Sequence, residues 1–137
     1  MSMKISVCCF AAVFILTSFY CIASIDCSKI RNGKFYYYTK KGHRLVNVER
    51  KDSLQTETDV QSGDLFKDKV VWTTDCHFQL FVGAFNEVKH TLIDTLLAST
   101  PLEVDILTIT KDFYVCKGTV EILNKKIQLR DTLYFNK

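Results

Sequence analysis

The sequence predicts a mainly β protein: an antiparallel meander of about eight strands with one short helix, shaped as a calycin-like barrel or a curved sheet. Short segments after residue 24 alternate apolar and polar side chains with the period of two that a half-buried strand produces. Turn-forming residues separate these segments at short intervals. Consecutive strands joined by short turns pair as antiparallel neighbours, because parallel strands need long crossovers.

The first predicted hairpin joins an aromatic strand at residues 35–38 to a strand at 45–50, with its turn at Lys41-Gly42. A third strand follows in which Leu54 begins the alternation, and residues 61–64 supply the next turn. The remaining strands are expected at residues 66–72, 76–82, 102–109, 113–116, 120–123 and 127–135. Within 102–109 the apolar phase changes after Ile106, which predicts a bulge.

One segment interrupts the strands with helical spacing. Asn86 is expected to cap a helix that ends at Ser99, before Pro101. The apolar residues that recur at helical spacing are Val88, Leu92, Ile93, Leu96 and Leu97.

Residues 1–24 are typical of a secretory signal peptide. Lys4 precedes an apolar run, and the segment ends in the small residues Ala23 and Ser24. The alternatives to a cleaved signal peptide are an uncleaved membrane anchor and a lipoprotein. We therefore expect residues 25–137 to form a single β-rich domain that is exported to the periplasm, the cell surface or the medium, touching the membrane only through an uncleaved signal.

The charge balance of the chain excludes nucleic acid as a partner. Eighteen Lys and Arg face fifteen Asp and Glu, for a net charge of +3. The two signs alternate along the chain and form no basic cluster large enough for nucleic acid.

Three of the six cysteines lie in residues 1–24, which leaves Cys27, Cys76 and Cys116. An oxidising compartment favours one bridge, any of three pairings is open, and one thiol remains.

No motif for catalysis or for a cofactor is present. The histidines are His43, His77 and His90, and no spacing among His, Cys and acidic residues is that of a metal site. Cys76 and His77 adjoin, but consecutive strand residues point to opposite faces. The sequence therefore predicts no cofactor and no enzymatic activity.

A polar series on the second and third strands is the first candidate binding site. It consists of Arg50, Asp52, Gln55 and Glu57, of which Arg50 and Gln55 offer hydrogen-bond donors to a ligand or partner. The alternative is a solvated hairpin with cross-strand charge pairing.

Aromatic residues form the second candidate site. Trp72 and Phe78 either line a barrel cavity for a small apolar ligand or pack in the core, and Trp72 is the residue expected most firmly in the core. A ligand carrier is predicted to have a cavity lined by Val46, Val48, Trp72, Phe78 and Leu80.

Four short motifs span most of the exported part: Asp26-Cys27, Gly33-Lys34-Phe35, Arg50-x-Asp52-x-x-Gln55-x-Glu57 and Trp72-x-x-Asp75-Cys76-x-Phe78. The series resembles a family of small uncharacterised exported proteins of Bacteroidota. That resemblance implies a location in the bacterial envelope and a Cys27–Cys76 bridge.

These observations predict an exported, non-catalytic binding or accessory protein of the bacterial envelope, whose partner is an envelope protein or a small apolar ligand. Three alternatives remain open. A carrier would hold a small hydrophobic ligand in a barrel cavity. A structural subunit of an envelope complex would have a filled core and an exposed edge strand or aromatic patch. A hydrolase would bring two carboxylates, or His77 and an acid, together in a cleft.

Overall fold

A computed structural model describes residues 25–87 and 91–136. The predicted signal segment lies outside the described residues, as do Val88 and His90 of the predicted helix. In the described part of the chain, no helix has the length and apolar character needed to cross a membrane.

Eight antiparallel strands form a closed barrel of calycin-like shape, which confirms the predicted fold class. Each strand pairs with its neighbour in sequence, and β8 returns to pair with β1 through only two residue pairs, Phe35 with Phe135 and Tyr36 with Tyr134. The strands are β1 (Gly33–Tyr38), β2 (Leu45–Lys51), β3 (Leu54–Asp59), β4 (Leu65–Thr74), β5 (His77–Phe81), β6 (Leu102–Ile109), β7 (Phe113–Ile122) and β8 (Lys125–Phe135).

The segments predicted as separate strands at 113–116 and 120–123 form the single strand β7. Gly118 does not break this strand. It is buried against Leu102, and a Cβ atom at Gly118 would lie 3.0 Å from a Leu102 methyl carbon, so the position accommodates glycine because the two strands approach closely. The predicted bulge is confirmed, since the register of β6 against β7 shifts between Ile106 and Thr108.

The helix α1 (Leu92–Ser99) begins five residues later than predicted. Thr91 caps it: its side chain accepts a hydrogen bond from the Asp94 amide, and the Asp94 carboxylate accepts one from the Thr91 amide at 2.9 Å. Asn86 instead accepts a hydrogen bond from the amide of Lys67 at 2.8 Å, which ties the segment before the helix to β4. No described residue of α1 is buried.

A 3₁₀ helix, Cys27–Ile30, closes one end of the barrel, and we call this helix the plug. Cys27 and Ile30 are 1% and 0% exposed. A disulfide joins Cys27 to Cys76 in the β4–β5 turn, which confirms the pairing implied by the family resemblance. Cys116 is a half-buried free thiol.

The antiparallel order gives the barrel two different ends. The plugged end carries the plug and the β2–β3, β4–β5 and β6–β7 turns. The open end carries the β1–β2, β3–β4 and β7–β8 turns and the long β5–β6 connection with α1.

Candidate functional site: a cavity inside the barrel

A cavity of about 200 Å³ lies inside the barrel, and its two sides differ in chemistry. The apolar side comes mainly from β5 and β6 and consists of Phe78, Leu80, Val82, Leu102 and Val104. The polar side comes from β1, β2, β3, β7 and β8 and carries Tyr37, Arg50, Gln55, Glu57, Tyr114, Cys116 and Asp131; Gly118, Leu129 and Leu133 on β7 and β8 complete the lining.

Arg50 links the polar side of the cavity to the plug. Its side chain is 3% exposed, and its guanidinium donates hydrogen bonds to the Ile30 carbonyl at 2.7 Å and to Gln55 Oε1 at 2.6 and 2.9 Å. A longer bond of 3.3 Å reaches the Tyr114 hydroxyl. The guanidinium carbon also lies 4.7 Å from the centre of the Phe78 ring. Arg50 is therefore held in place by hydrogen bonds and by a cation–π contact.

Glu57 receives hydrogen bonds from two side chains of the cavity wall. The Gln55 amide donates to Oε1 at 2.7 Å, and the Tyr37 hydroxyl donates to Oε2 at 2.9 Å. Arg50, Gln55, Glu57 and Tyr37 thus form one connected set, which we call the polar network. Its hydrogen bonds run from Arg50 through Gln55 to Glu57, and from Tyr37 to the same carboxylate.

Asp68 lies next to this network and is 1% exposed. Its carboxylate accepts a hydrogen bond from the Gly83 amide at 2.6 Å and another from the Gln55 side chain. Gly83 has φ +65 and begins the connection to α1, so Asp68 attaches that connection to the barrel wall.

Burial changes the ionisation of these groups. It raises the pKa of Asp68 to about 7, and the negative charge of Glu57 acts in the same direction. Burial likewise raises the pKa of Glu57, against the effects of its two hydrogen-bond donors and of Arg50. The pKa of the Cys116 thiol is raised to about 11, first by burial and then by the charge of Asp131. Cys116 is therefore a weak nucleophile at neutral pH.

The mouth of the cavity lies at the open end. Along each strand, alternate residues point into the barrel, and Phe66, Ile127 and Leu129 have this inward phase. They are nevertheless 45%, 44% and 44% exposed. Inward-pointing apolar side chains that reach solvent show that the open end is not filled.

The structure brings three residues of the predicted polar series together and leaves one out. Arg50, Gln55 and Glu57 point into the barrel, so the solvated-hairpin interpretation of these three side chains was wrong. Asp52 is exposed in the β2–β3 turn, where its amide donates a hydrogen bond to Asn32, and it does not reach the cavity.

The predicted aromatic lining was right in part. Phe78 and Leu80 line the cavity, whereas Val46, Val48 and Trp72 do not. The two valines are buried in the wall. Trp72 is half-buried and lies outside the cavity lining. Its ring packs against Phe78, with the ring centres 4.7 Å apart, and the Arg31 guanidinium lies over its face.

Sequence reasoning did not single out several residues of the interior, among them Tyr37, Asp68 and Asp131. Each lies two positions from an inward-facing residue of its strand, as Tyr37 does from Phe35 and Asp131 from Leu133. Continuing the alternation of inward and outward side chains through the polar positions of each strand would have identified them.

His77 lies on the outer wall and not in the cavity. Its ring nitrogens contact Asp105 at 2.7 Å and Glu103 at 2.8 Å across the β5–β6 pair. The hydrogen bond to Asp105 is the main cause of the raised pKa of His77. Within residues 25–87 and 91–136, no group of His, Cys, Asp and Glu has the arrangement of a metal site.

No protein-family model, curated protein or solved structure matches this chain. Its function must therefore be inferred from the barrel interior.

Proposed function

We propose that this protein is an exported, non-catalytic binding protein of the bacterial envelope that holds a small ligand inside its barrel. The cavity with its open mouth and its polar network is the observation that carries this proposal. Ligand sites are typically concave, largely apolar and supplied with a few fixed polar groups, and this cavity has all three properties.

The volume limits the size of the ligand. A cavity of about 150 Å³ accommodates benzene. A cavity of about 200 Å³ therefore suits one ring with a short polar substituent, and it is too small for a long lipid chain.

Glu57 and Asp131 both line the cavity, as two hydrolytic carboxylates would, but Glu57 is held by hydrogen bonds from the barrel wall, which favours binding over hydrolysis. Both oxygens of Glu57 accept hydrogen bonds from the barrel wall. Both ring nitrogens of His77 contact carboxylates across the β5–β6 pair, outside the cavity. Export is supported by the Cys27–Cys76 bridge, since disulfides persist in oxidising compartments.

Native mass spectrometry tests the proposal on protein purified without denaturation from the cells that make it. We expect a species heavier than the bare protein by the mass of one small molecule, and we expect this species to vanish on denaturation. The bare mass alone, at every protein concentration and after incubation with small ring compounds, would contradict a binding role.

A pair of substitutions at Cys116 locates the ligand. Cys116→Phe places a large side chain in the cavity and should abolish the bound species, because the ring occupies the ligand's space. Cys116→Ser nearly preserves the volume and should retain it. Equal retention by both variants would place the ligand elsewhere.

A second candidate is an accessory subunit that docks on a larger envelope protein through the open end. Apolar side chains exposed around that end favour it, namely Val60, Leu65, Phe85, Leu92 and Ile93. In the same mass spectra, a defined assembly without a small ligand would support this candidate instead.

A further inference from the structure

We propose that the ligand is a small organic ammonium ion: an apolar body of about one ring, with a cationic head that donates hydrogen bonds to the Glu57 side of the cavity. This inference rests on the proposed binding function and adds the chemical class of the ligand. The direction of the hydrogen bonds, the charge of the interior and the placement of the apolar wall each support it.

The polar network presents acceptors to the cavity. Four of the five N–H donors of Arg50, the Nε2 amide of Gln55 and the hydroxyl proton of Tyr37 are directed to protein atoms. A carboxylate accepts about four hydrogen bonds, and Glu57 accepts two from the network. The remaining capacity of Glu57 and the carboxylate of Asp131 therefore call for a ligand that donates.

The net charge of the cavity determines which kind of hydrogen-bond donor it would bind. Glu57 and Asp131 line the cavity with one cation, Arg50, and the carboxylate of Asp68 lies behind Gln55. Lys40 approaches Asp131 at 3.8 Å from the solvent side, where both side chains are well exposed and water screens the pair.

Arg50 cancels only part of this excess: its positive charge lowers the pKa of Glu57 and of Asp68, yet both pKa values stay raised. Its guanidinium lies among the rings of Phe78, Phe35 and Trp72, at 4.7, 5.5 and 5.9 Å. Of the three carboxylates, Glu57 and Asp68 lie where burial raises their pKa and uncompensated charge is unfavourable, whereas Asp131 is partly hydrated. A bound cation relieves this unfavourable charge, whereas a bound anion increases it. The raised pKa values of Glu57 and Asp68 have the same physical origin.

The apolar wall lies beside the acceptors. Phe78, Leu80 and Leu102 line the side supplied by β5 and β6, two strands from Glu57 on β3 and two strands from Asp131 on β8. A ligand in this cavity can place an apolar body against β5 and β6 while its head reaches the carboxylates.

Three probes with the same ring test the head group: benzylamine, benzyl alcohol and benzoate, each titrated calorimetrically into the purified protein at neutral pH. We expect benzylamine to bind about tenfold more tightly than benzyl alcohol, because a charge-assisted hydrogen bond replaces a neutral one. Benzoate should bind most weakly. Cys116 reacts slowly because its pKa is about 11, so a small uncharged alkylating reagent is applied in excess until the unliganded protein is fully modified; protection of the thiol under those conditions reports whether a probe occupies the cavity.

Matched variants assign the preference to one carboxylate. Glu57→Gln should remove most of the tenfold preference for the amine. Glu49→Gln removes the same charge from the exposed face of β2 and should leave the preference intact. The ranking of the three probes on the unsubstituted protein decides the inference even where Glu57→Gln does not fold.

The outcomes separate the two proposals. Tightest binding of benzoate or benzyl alcohol, with Cys116 protected, overturns the ammonium inference and leaves the binding function standing. An amine preference that survives Glu57→Gln overturns it as well. If no probe binds and none protects Cys116, both proposals are overturned.

Discussion

At both ends of the barrel alternate side chains point inward, but these inward side chains are buried at one end and exposed at the other. At the plugged end, the inward residues Phe35, Ile106 and Tyr114 are 1%, 6% and 1% exposed. At the open end, the inward residues Phe66 and Leu129 are 45% and 44% exposed. The contrast shows that the plugged end carries most of the packing, so the open end is available for binding.

Replacing Arg50 tests the importance of the plugged end and should have the largest effect. Arg50→Met leaves Gln55, the Ile30 carbonyl and the Tyr114 hydroxyl without their shared donor. We expect a loss of about 3 to 5 kcal/mol in the free energy of unfolding, measured by urea denaturation.

Arg130→Met is the matched control, because it removes the same charge from an exposed position on β8. It should cost less than about 0.5 kcal/mol. Similar losses for the two variants would mean that Arg50 does not connect the plug to the barrel.

The pH dependence of stability depends on Asp68. Its folded pKa of about 7 lies above the usual 3.8, so the folded state retains a proton that the unfolded state has lost. Stability should therefore fall as the pH rises between about 4 and 7, and the deficit should persist above this window. Asp68→Asn keeps an acceptor for the Gly83 amide and should recover on the order of 3 kcal/mol at pH 8.

The measurement is the unfolding free energy from pH 4.5 to 8 for the parent protein, Asp68→Asn and Asp52→Asn. The Asp52 variant changes an exposed turn residue and should keep the parent's slope. A parent curve that rises with pH through this window would contradict the assignment of an unfavourable buried carboxylate at position 68.

The smallest effect is expected at the mouth. Phe66→Ala should cost less than about 1 kcal/mol, because the ring is already largely in water. Phe35→Ala at the plugged end should cost about 3 to 5 kcal/mol. Comparable losses in thermal or urea unfolding would show that the open end is closed over Phe66 in solution.

The barrel could be predicted from the sequence because apolar and polar side chains alternate along most of its strands. β3 is an exception: Leu54 is 38% exposed, whereas Gln55 and Asp59 are buried. Hydrophobic periodicity assigns the apolar face of a strand to the interior. It therefore placed the polar side chains of β3 on the solvent side of the barrel wall. Such local disagreement between pattern and structure is typical of functional sites.

Two other differences arise from contacts between distant residues. The plug is only four residues long, and its burial depends on the disulfide to Cys76 and on Arg50, neither of which is a local signal. The helix begins at Leu92 because the Thr91–Asp94 capping box outweighs Asn86, whose side chain is engaged by β4.

The seam between β1 and β8 has a consequence for how the barrel folds. Its two residue pairs join strands about 100 positions apart in the sequence, whereas every other strand pair joins sequence neighbours. Loop-closure entropy makes such a distant contact slow to form. The seven pairs of sequence-neighbouring strands can assemble first as an open sheet, and the ring closes when the β7–β8 hairpin, paired along its whole length, meets β1. Amide exchange should therefore find its weakest protection at the seam.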